Sequence, residues 1–165
     1  MLFPSDLLDY LNLRIIDILG RDASRPFVEI AKELEISDAT VHVRVRRLVA
    51  TGIIRKFTIA TDSPLLGYDH LAFMGINIKE DSAEVTASLS QFDEMMEIHE
   101  MHSRFDLLLK IRARSLEEIR DIVVNKIRRL SQITEAELMT VLKTIKEEQS
   151  VSLKRDISDA TAAAI

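Results

Sequence analysis

The chain has no cysteine, which excludes disulfides, thiolate zinc sites, iron–sulfur clusters and cysteine nucleophiles together. It has only four glycines in 165 residues. No glycine-rich phosphate loop can be built from them as they are placed, and neither a nucleophile elbow nor a histidine-rich metal motif occurs. No apolar run approaches the roughly 18 residues that a membrane span needs. The opening "MLFPSDLLDY" lacks the basic start and small-residue cleavage site of a secretory signal. The expected location is therefore the cytoplasm, with no membrane contact, no cofactor and no catalysis. His99 and His102 stand close to Glu97, Glu100 and Asp106, but strand alternation sends the two imidazoles to opposite faces, which argues against a shared metal ion. Stability has to come from packing or oligomerisation, and a hydrophobic content of 47% is ample for packed cores. The six methionines read most simply as core and interface filler.

Charge is present but unevenly spread. Residues 1–60 carry nine Lys/Arg against eight Asp/Glu, and residues 61–165 carry thirteen against nineteen, which together give the net charge of -5. Within the first part, "ISDATVHVRVRRLVATGIIRKF" gathers five cations around one carboxylate. An asymmetry of this kind suggests two parts with different tasks.

The first fifty residues read as three helices. Leu8, Leu11, Ile15, Ile18 and Leu19 keep one helical face, and so do Phe27, Ile30, Ala31 and Leu34 after Pro26. A third helix runs from a Ser37 cap to about Ala50 and stops at Gly52. "IIRKFTIATD" alternates and reads as a hinge strand, and "SPLLGY" as a turn-prone connector. Beyond it come a buried strand "LAFMGINIK", a short helix with Val85, Leu89 and Phe92, and the strands "MMEIHEMHS" and "FDLLLKIRA". A helix carrying Leu116, Ile119, Val123, Ile127 and Leu130 from a Ser115 cap follows, then a last strand "LMTVLKTIK". The order βαββαβ is that of a ferredoxin-like sandwich, whose second sheet face needs cover, most simply by another copy of the chain. The fold class expected is α+β: a three-helix winged or helix-turn-helix domain over residues 1–52, a hinge strand and linker over 53–69, a ferredoxin-like sensing and oligomerisation domain over 70–147, and a mobile tail over 148–165 with room for a helical turn.

On a helical wheel, Val41, Val45, Leu48 and Val49 turn the third helix inward, while Ala39, Thr40, His42, Val43, Arg46 and Arg47 face outward with Arg44 at the border. A lone exposed arginine is ordinary solvation. Here a short second helix, a joint of about two residues and a capped third helix with Asp38 in its first turn surround the cluster, which is the layout of a helix-turn-helix presenting its second helix to double-stranded DNA. Ser37 and Asp38 sit at the DNA-facing end. Ala39, Thr40, His42 and Val43 are placed to read base edges, and Arg44, Arg46, Arg47, Arg55 and Lys56 to hold phosphates.

The run "LNLRIIDILGRDASRPFVEIAKELEISDATVHVRVRRLVATGIIRKFTIATDSPLLGY" resembles the N-terminal half of the Lrp/AsnC (feast/famine) transcription regulators, with "TGIIRKF" and "LLGY" its most specific pieces. The strand and helix order, "FDLLLKIRA" and "TVLKTIKE" resemble that family's sensing domain, so the likeness covers about residues 7–147. It implies a DNA-binding regulator that dimerises through its ferredoxin-like domains, assembles further into tetramers or octamers, and answers to a small amino acid bound between dimers. The effector turn of the family, Gly-x-x-Asp, corresponds to "SRFD", which points to His102, Ser103, Arg104 and Asp106 as effector-side residues. Asp106 is kept, whereas Ser103 replaces glycine, and "LSQ" replaces the usual Leu-Pro-Gly before the last strand. Three readings stay open: Arg104 makes a new carboxylate site, the site is closed and the protein acts without a ligand, or the pocket survives on other contacts. Two other functions also stay open, an architectural DNA-coating protein and a metabolite-sensing subunit that regulates an enzyme.

Overall fold

The computed structural model describes residues 7–79 and 82–162. The chain divides into two compact units, one made of the residues up to Ala60 together with those from Glu147 onward, the other of Thr61–Lys146.

In the first unit, α1 (Tyr10–Arg21), α2 (Phe27–Glu33) and α3 (Asp38–Ala50) follow in close succession. Asp9 caps α1 by accepting from the Asn12 N–H at 2.8 Å, Pro26 precedes the first residue of α2, and the Ser37 hydroxyl accepts from the Thr40 N–H at 3.1 Å at the start of α3. Glu35 takes φ 56°, the left-handed conformation that turns the chain between α2 and α3, and Gly52 at φ 76° follows the end of α3. Ile15, Ile18, Leu19, Ile30, Ala31, Val41, Val45 and Leu48 form the core. Val49, expected inward, is exposed.

Two expectations fail in the segments that flank the second unit. Residues 53–62 form a turn and an irregular stretch, not a strand. A strand must pair its backbone groups, and no described segment of this chain pairs with it. The segment after Gln149 holds helix α6 (Lys154–Ala162), preceded by Leu153. Leu153, Ile157 and Ala160 recur at helical spacing and are half-buried, and α6 lies against α1. Gly20 on α1 leaves room there: a Cβ on it would stand 3.7 Å from the Ser150 hydroxyl.

The second unit is a four-stranded antiparallel sheet in the order β2-β3-β1-β4, built from β1 (His70–Ile78), β2 (Met95–Glu100), β3 (Leu107–Ala113) and β4 (Ile133–Thr140). The last strand thus begins earlier than its most apolar stretch and ends at Thr140. Leu142 and Ile145 beyond it are 100% and 84% exposed. Helix α4 (Ser82–Leu89) and helix α5 (Leu116–Asp121), which continues through a π-helical turn at Ile122–Ile127, contribute Val85, Leu89, Ile119, Ile122, Val123 and Ile127 to a core with the inward residues of the sheet. The wider π-turn brings Ile122 inward beside Val123, and Leu116, expected on the apolar stripe, lies exposed in the first turn after its Ser115 cap.

The opposite sheet face is mixed, with Phe73 and Leu108 beside Glu97, His99, Lys110 and Glu137 by strand alternation. It is not the bare apolar face that its topology suggested. Phe105 covers part of it by lying on Gly75, so close that a Cβ there would overlap the aromatic ring. Gly75→Ala is expected to destabilise this unit by about 1–3 kcal/mol, the usual cost of overpacking. Urea unfolding followed by circular dichroism checks this, and an unchanged midpoint would show that Phe105 yields freely.

Candidate nucleic-acid interface

Burial of Val41, Val45 and Leu48 at 0%, 4% and 0% exposure fixes which way α3 turns. Ala39, His42, Val43, Arg46 and Arg47 are consequently exposed, Val43 to 65%, with Thr40 half-buried beside them. The Ser37 and Thr40 hydroxyls bond each other at 2.7 Å, so both are partly engaged in the cap. His42 is held edge-on against the Phe27 ring with centroids 4.8 Å apart, and its Nε2 stands 3.7 Å from an Asp38 carboxylate oxygen. Arg55 and Lys56 are exposed on the irregular segment after α3. The residues expected to read DNA are thus brought to one helix and the stretch that follows it.

Arg44 behaves differently. Its Nη1 donates to both carboxylate oxygens of Asp9, at 2.9 and 2.7 Å, and to the side-chain carbonyl of Asn12 at 3.0 Å. Asn12 is 3% exposed, and its amide nitrogen donates to the Leu7 carbonyl at 3.1 Å. Without Arg44 the Asn12 oxygen would be a buried acceptor without a protein partner, a situation that costs about 1–3 kcal/mol. A groove of about 430 Å³ runs here between Asp9, Asn12, Ala39, Thr40, Val43, Arg44 and Arg47. Sequence reading missed Asp9 and Asn12. An Asp just before a helical period is a cap signal, and an Asn within an otherwise apolar face is a polar group that needs a partner.

In the second unit, His102, Ser103, Arg104 and Asp106 share the β2–β3 turn and are all exposed. Asp106 holds the turn to β1: its N–H donates to the Ile76 carbonyl and to the Asn77 side-chain oxygen, both at 3.1 Å, and its carboxylate accepts from the Ile78 N–H at 2.9 Å. Arg104 stacks on Phe105, 4.8 Å from the ring centroid, and its guanidinium pairs with Glu137 at 2.7 Å and Glu135 at 3.5 Å. The fork that matches a ligand carboxylate is therefore engaged by carboxylates of its own chain.

With this geometry, comparison with known proteins is decisive. The AsnC-type helix-turn-helix domain matches residues 8–49, and the Lrp/AsnC ligand binding domain matches residues 71–151. The chain belongs to the Lrp/AsnC family. It is 36% identical over 148 residues to the HTH-type transcriptional regulator FL11 of Pyrococcus abyssi, covering 89% of this chain and 97% of that protein. It is 31% identical over 134 residues to the regulatory protein AsnC of Haemophilus influenzae, covering 80% and 89%. The structure of AsnC from E. coli superposes with a TM-score of 0.80 at 29% identity, covering 86% of this chain and 97% of that one. A Neisseria meningitidis transcriptional regulator in complex with L-Met shares the fold, with a TM-score of 0.83 at 21% identity over 88% and 97% of the two chains. Helix α6 lies beyond the part matched to the Lrp/AsnC ligand binding domain. Like its Lrp/AsnC relatives, the chain is a helix-turn-helix transcriptional regulator. No helix among the described residues is long and apolar enough to cross a membrane.

On the open sheet face, the Glu97 carboxylate bonds His99 Nε2 and Lys110 Nζ, each at 2.9 Å. His99 first and Lys110 second hold it below the ordinary carboxylate value. A depressed acid stabilises the fold above its ordinary pKa and loses that contribution as pH falls through its folded value. The stability difference between the native chain and Glu97→Gln is therefore expected to be constant at neutral pH and to shrink into the acid range. Urea midpoints measured against pH check this, and a difference that grows on acidification contradicts it.

Proposed function

We propose that the chain is a sequence-specific regulator that reads double-stranded DNA with α3, acts in the cytoplasm as a homodimer or higher assembly, and has no catalytic role of its own. The observation that carries this reading is the outward face of α3. Ala39, Thr40, His42 and Val43 form a small, mostly uncharged patch at its N-terminal half, and Arg46 and Arg47 follow one turn later. Ser37 and Asp38 shape the helix end that meets the groove, and Arg46, Arg47, Arg55 and Lys56 supply phosphate contacts. Self-association is supported by the irregular stretch after α3, where Phe57 is 49% and Ile59 79% exposed, and by Leu142 and Ile145 after β4. Apolar groups in these numbers favour cover by a second copy.

A small amino acid as effector is supported by the match to the family's ligand binding domain and by the L-Met complex of the Neisseria relative. In this reading His102, Ser103 and Asp106 belong to the effector turn. Arg104 does not anchor the effector's carboxylate, because Glu137 and Glu135 already hold it.

Binding-site selection on genomic DNA, with and without a pool of amino acids, tests the whole reading. Enrichment of one short motif is expected, with half-sites about 10–10.5 base pairs apart or a multiple of that. A shift of the motif or of the recovered fraction on adding the pool supports an effector. Recovery of all sequences alike would replace sequence reading by DNA coating.

For the phosphate roles, Arg47→Ala is expected to weaken binding to selected and random duplexes equally and to flatten the slope of log affinity against log salt by about 0.9. A preserved slope removes Arg47 from the phosphate contacts.

A further inference from the structure

We infer that Arg44 is a positioning residue of the DNA-reading surface and makes no phosphate contact. This rests on the reading of α3 as the recognition helix. Arg44 sits on the same helix as the exposed Arg46 and Arg47, yet its side chain is only 26% exposed, and its guanidinium returns to the start of α1. There one nitrogen meets three oxygens, two of Asp9 and one of Asn12, at 2.7 to 3.0 Å.

These acceptors are themselves fixed. Asp9 Oδ1 also caps α1 by accepting from the Asn12 N–H at 2.8 Å, and buried Asn12 is tied to the Leu7 carbonyl. Arg44 therefore joins α3 to the backbone at the first turn of α1. A guanidinium that left for a phosphate would abandon a buried acceptor and a carboxylate together.

The charge arrangement points the same way. Asp9 lines the groove shared with Ala39, Thr40, Val43 and Arg47. An unpaired carboxylate there would repel the DNA backbone, and pairing with Arg44 cancels it. Arg44 thus sets the angle at which Ala39, Thr40 and Val43 are shown to base edges and removes a negative charge from beside them.

The test uses the full-length chain, the duplex recovered by selection and a random duplex of equal length. The informative variant is Arg44→Met combined with Asp9→Asn, which removes the clamp without changing net charge. A positioning role predicts unchanged affinity for random duplex, an unchanged salt slope, and a preference for the selected duplex reduced by about tenfold, the scale of one mismatched base pair. Arg44→Lys, which can still pair with Asp9, should recover part of that preference. Asp9→Asn alone preserves the shape of the cap, and its effect on preference should not add to that of Arg44→Met. A salt slope flatter by about 0.9 in the double variant, with preference intact, would make Arg44 a phosphate contact and overturn the inference.

Val43→Ala separates this from failure of the underlying reading. Val43 is exposed, and its apolar side chain takes no part in the hydrogen bonds among Arg44, Asp9 and Asn12, so on a recognition helix its loss alters which sequences are preferred. If Val43→Ala leaves the preferences untouched, α3 is not the reading helix and the role given to Arg44 falls with it.

Discussion

Everything on the outward face of α3 depends on the burial of three side chains. Val41, Val45 and Leu48 lie at i, i+4 and i+7 on α3 and are withdrawn into the core against Ile15, Ile18 and Ile30. Burying each of them contributes on the order of 1.5–3 kcal/mol. Turning α3 about its axis by one residue would forfeit this and expose the core. Because the inward stripe is so costly to move, the outward one is equally fixed, and a helix of thirteen residues becomes a rigid presenter of a few side chains. The apolar stripe governs rotation about the helix axis more firmly than tilt. Arg44 acts on the remaining freedom, through hydrogen bonds aimed at the start of α1.

Helix α1 is therefore the strut of the first unit. One side supplies Ile15, Ile18 and Leu19 to the core, its first turn receives Arg44, Arg14 pairs with Glu33 of α2 at 2.8 Å, and α6 lies along it. Leu13 is 4% exposed although it is outside the cluster formed with α2 and α3. Helix α6 packs back on this first helix, and the half-buried Leu153, Ile157 and Ala160 give it an apolar side to set there. A helix of nine residues is too short to be stable alone in water, so its order depends on that contact.

What was legible in the sequence follows from the range of the forces involved. The caps at Ser37 and Ser115, the stop at Gly52, the three-helix succession and the βαββαβ order are local or periodic, and the structure has them. The outward set on α3 was legible because it is the complement of a periodic stripe. Arg44 was assigned by its place on the wheel alone, and a wheel says nothing about an acceptor 35 residues away. The strand expected over residues 53–62 has strand-like residues, but pairing is a property of two segments, and the second is missing from the described chain. In the last strand, Glu135 and Glu137 lowered the apparent strand signal of a segment that pairs with β1, with a shift of register only near its start, while apolar Leu142 and Ile145 raised it beyond the end of the paired strand.

The β2–β3 turn illustrates how one glycine's absence and another's presence reshape a surface. Where the family resemblance leads one to expect glycine, the chain has Ser103, followed by Arg104 and Phe105. A large ring at that point needs somewhere to lie, and Gly75 on β1 supplies the space because it has no Cβ. Once Phe105 rests on the sheet, Arg104 is carried above it and within reach of Glu137 and Glu135 on β4. Each ion pair is largely exposed, so its net contribution is small, on the order of 0–1 kcal/mol. Its consequence for specificity is larger than its energy. A free arginine would attract any small carboxylate, whereas one flanked by two acids and stacked on a ring presents no unpaired positive charge. A ligand that entered this turn would have to displace Arg104 from both acids or use the backbone and Asp106 side of the turn instead. Arg104, for which a new carboxylate site was one of three readings open in the sequence, is in the folded chain paired with acids of its own sheet.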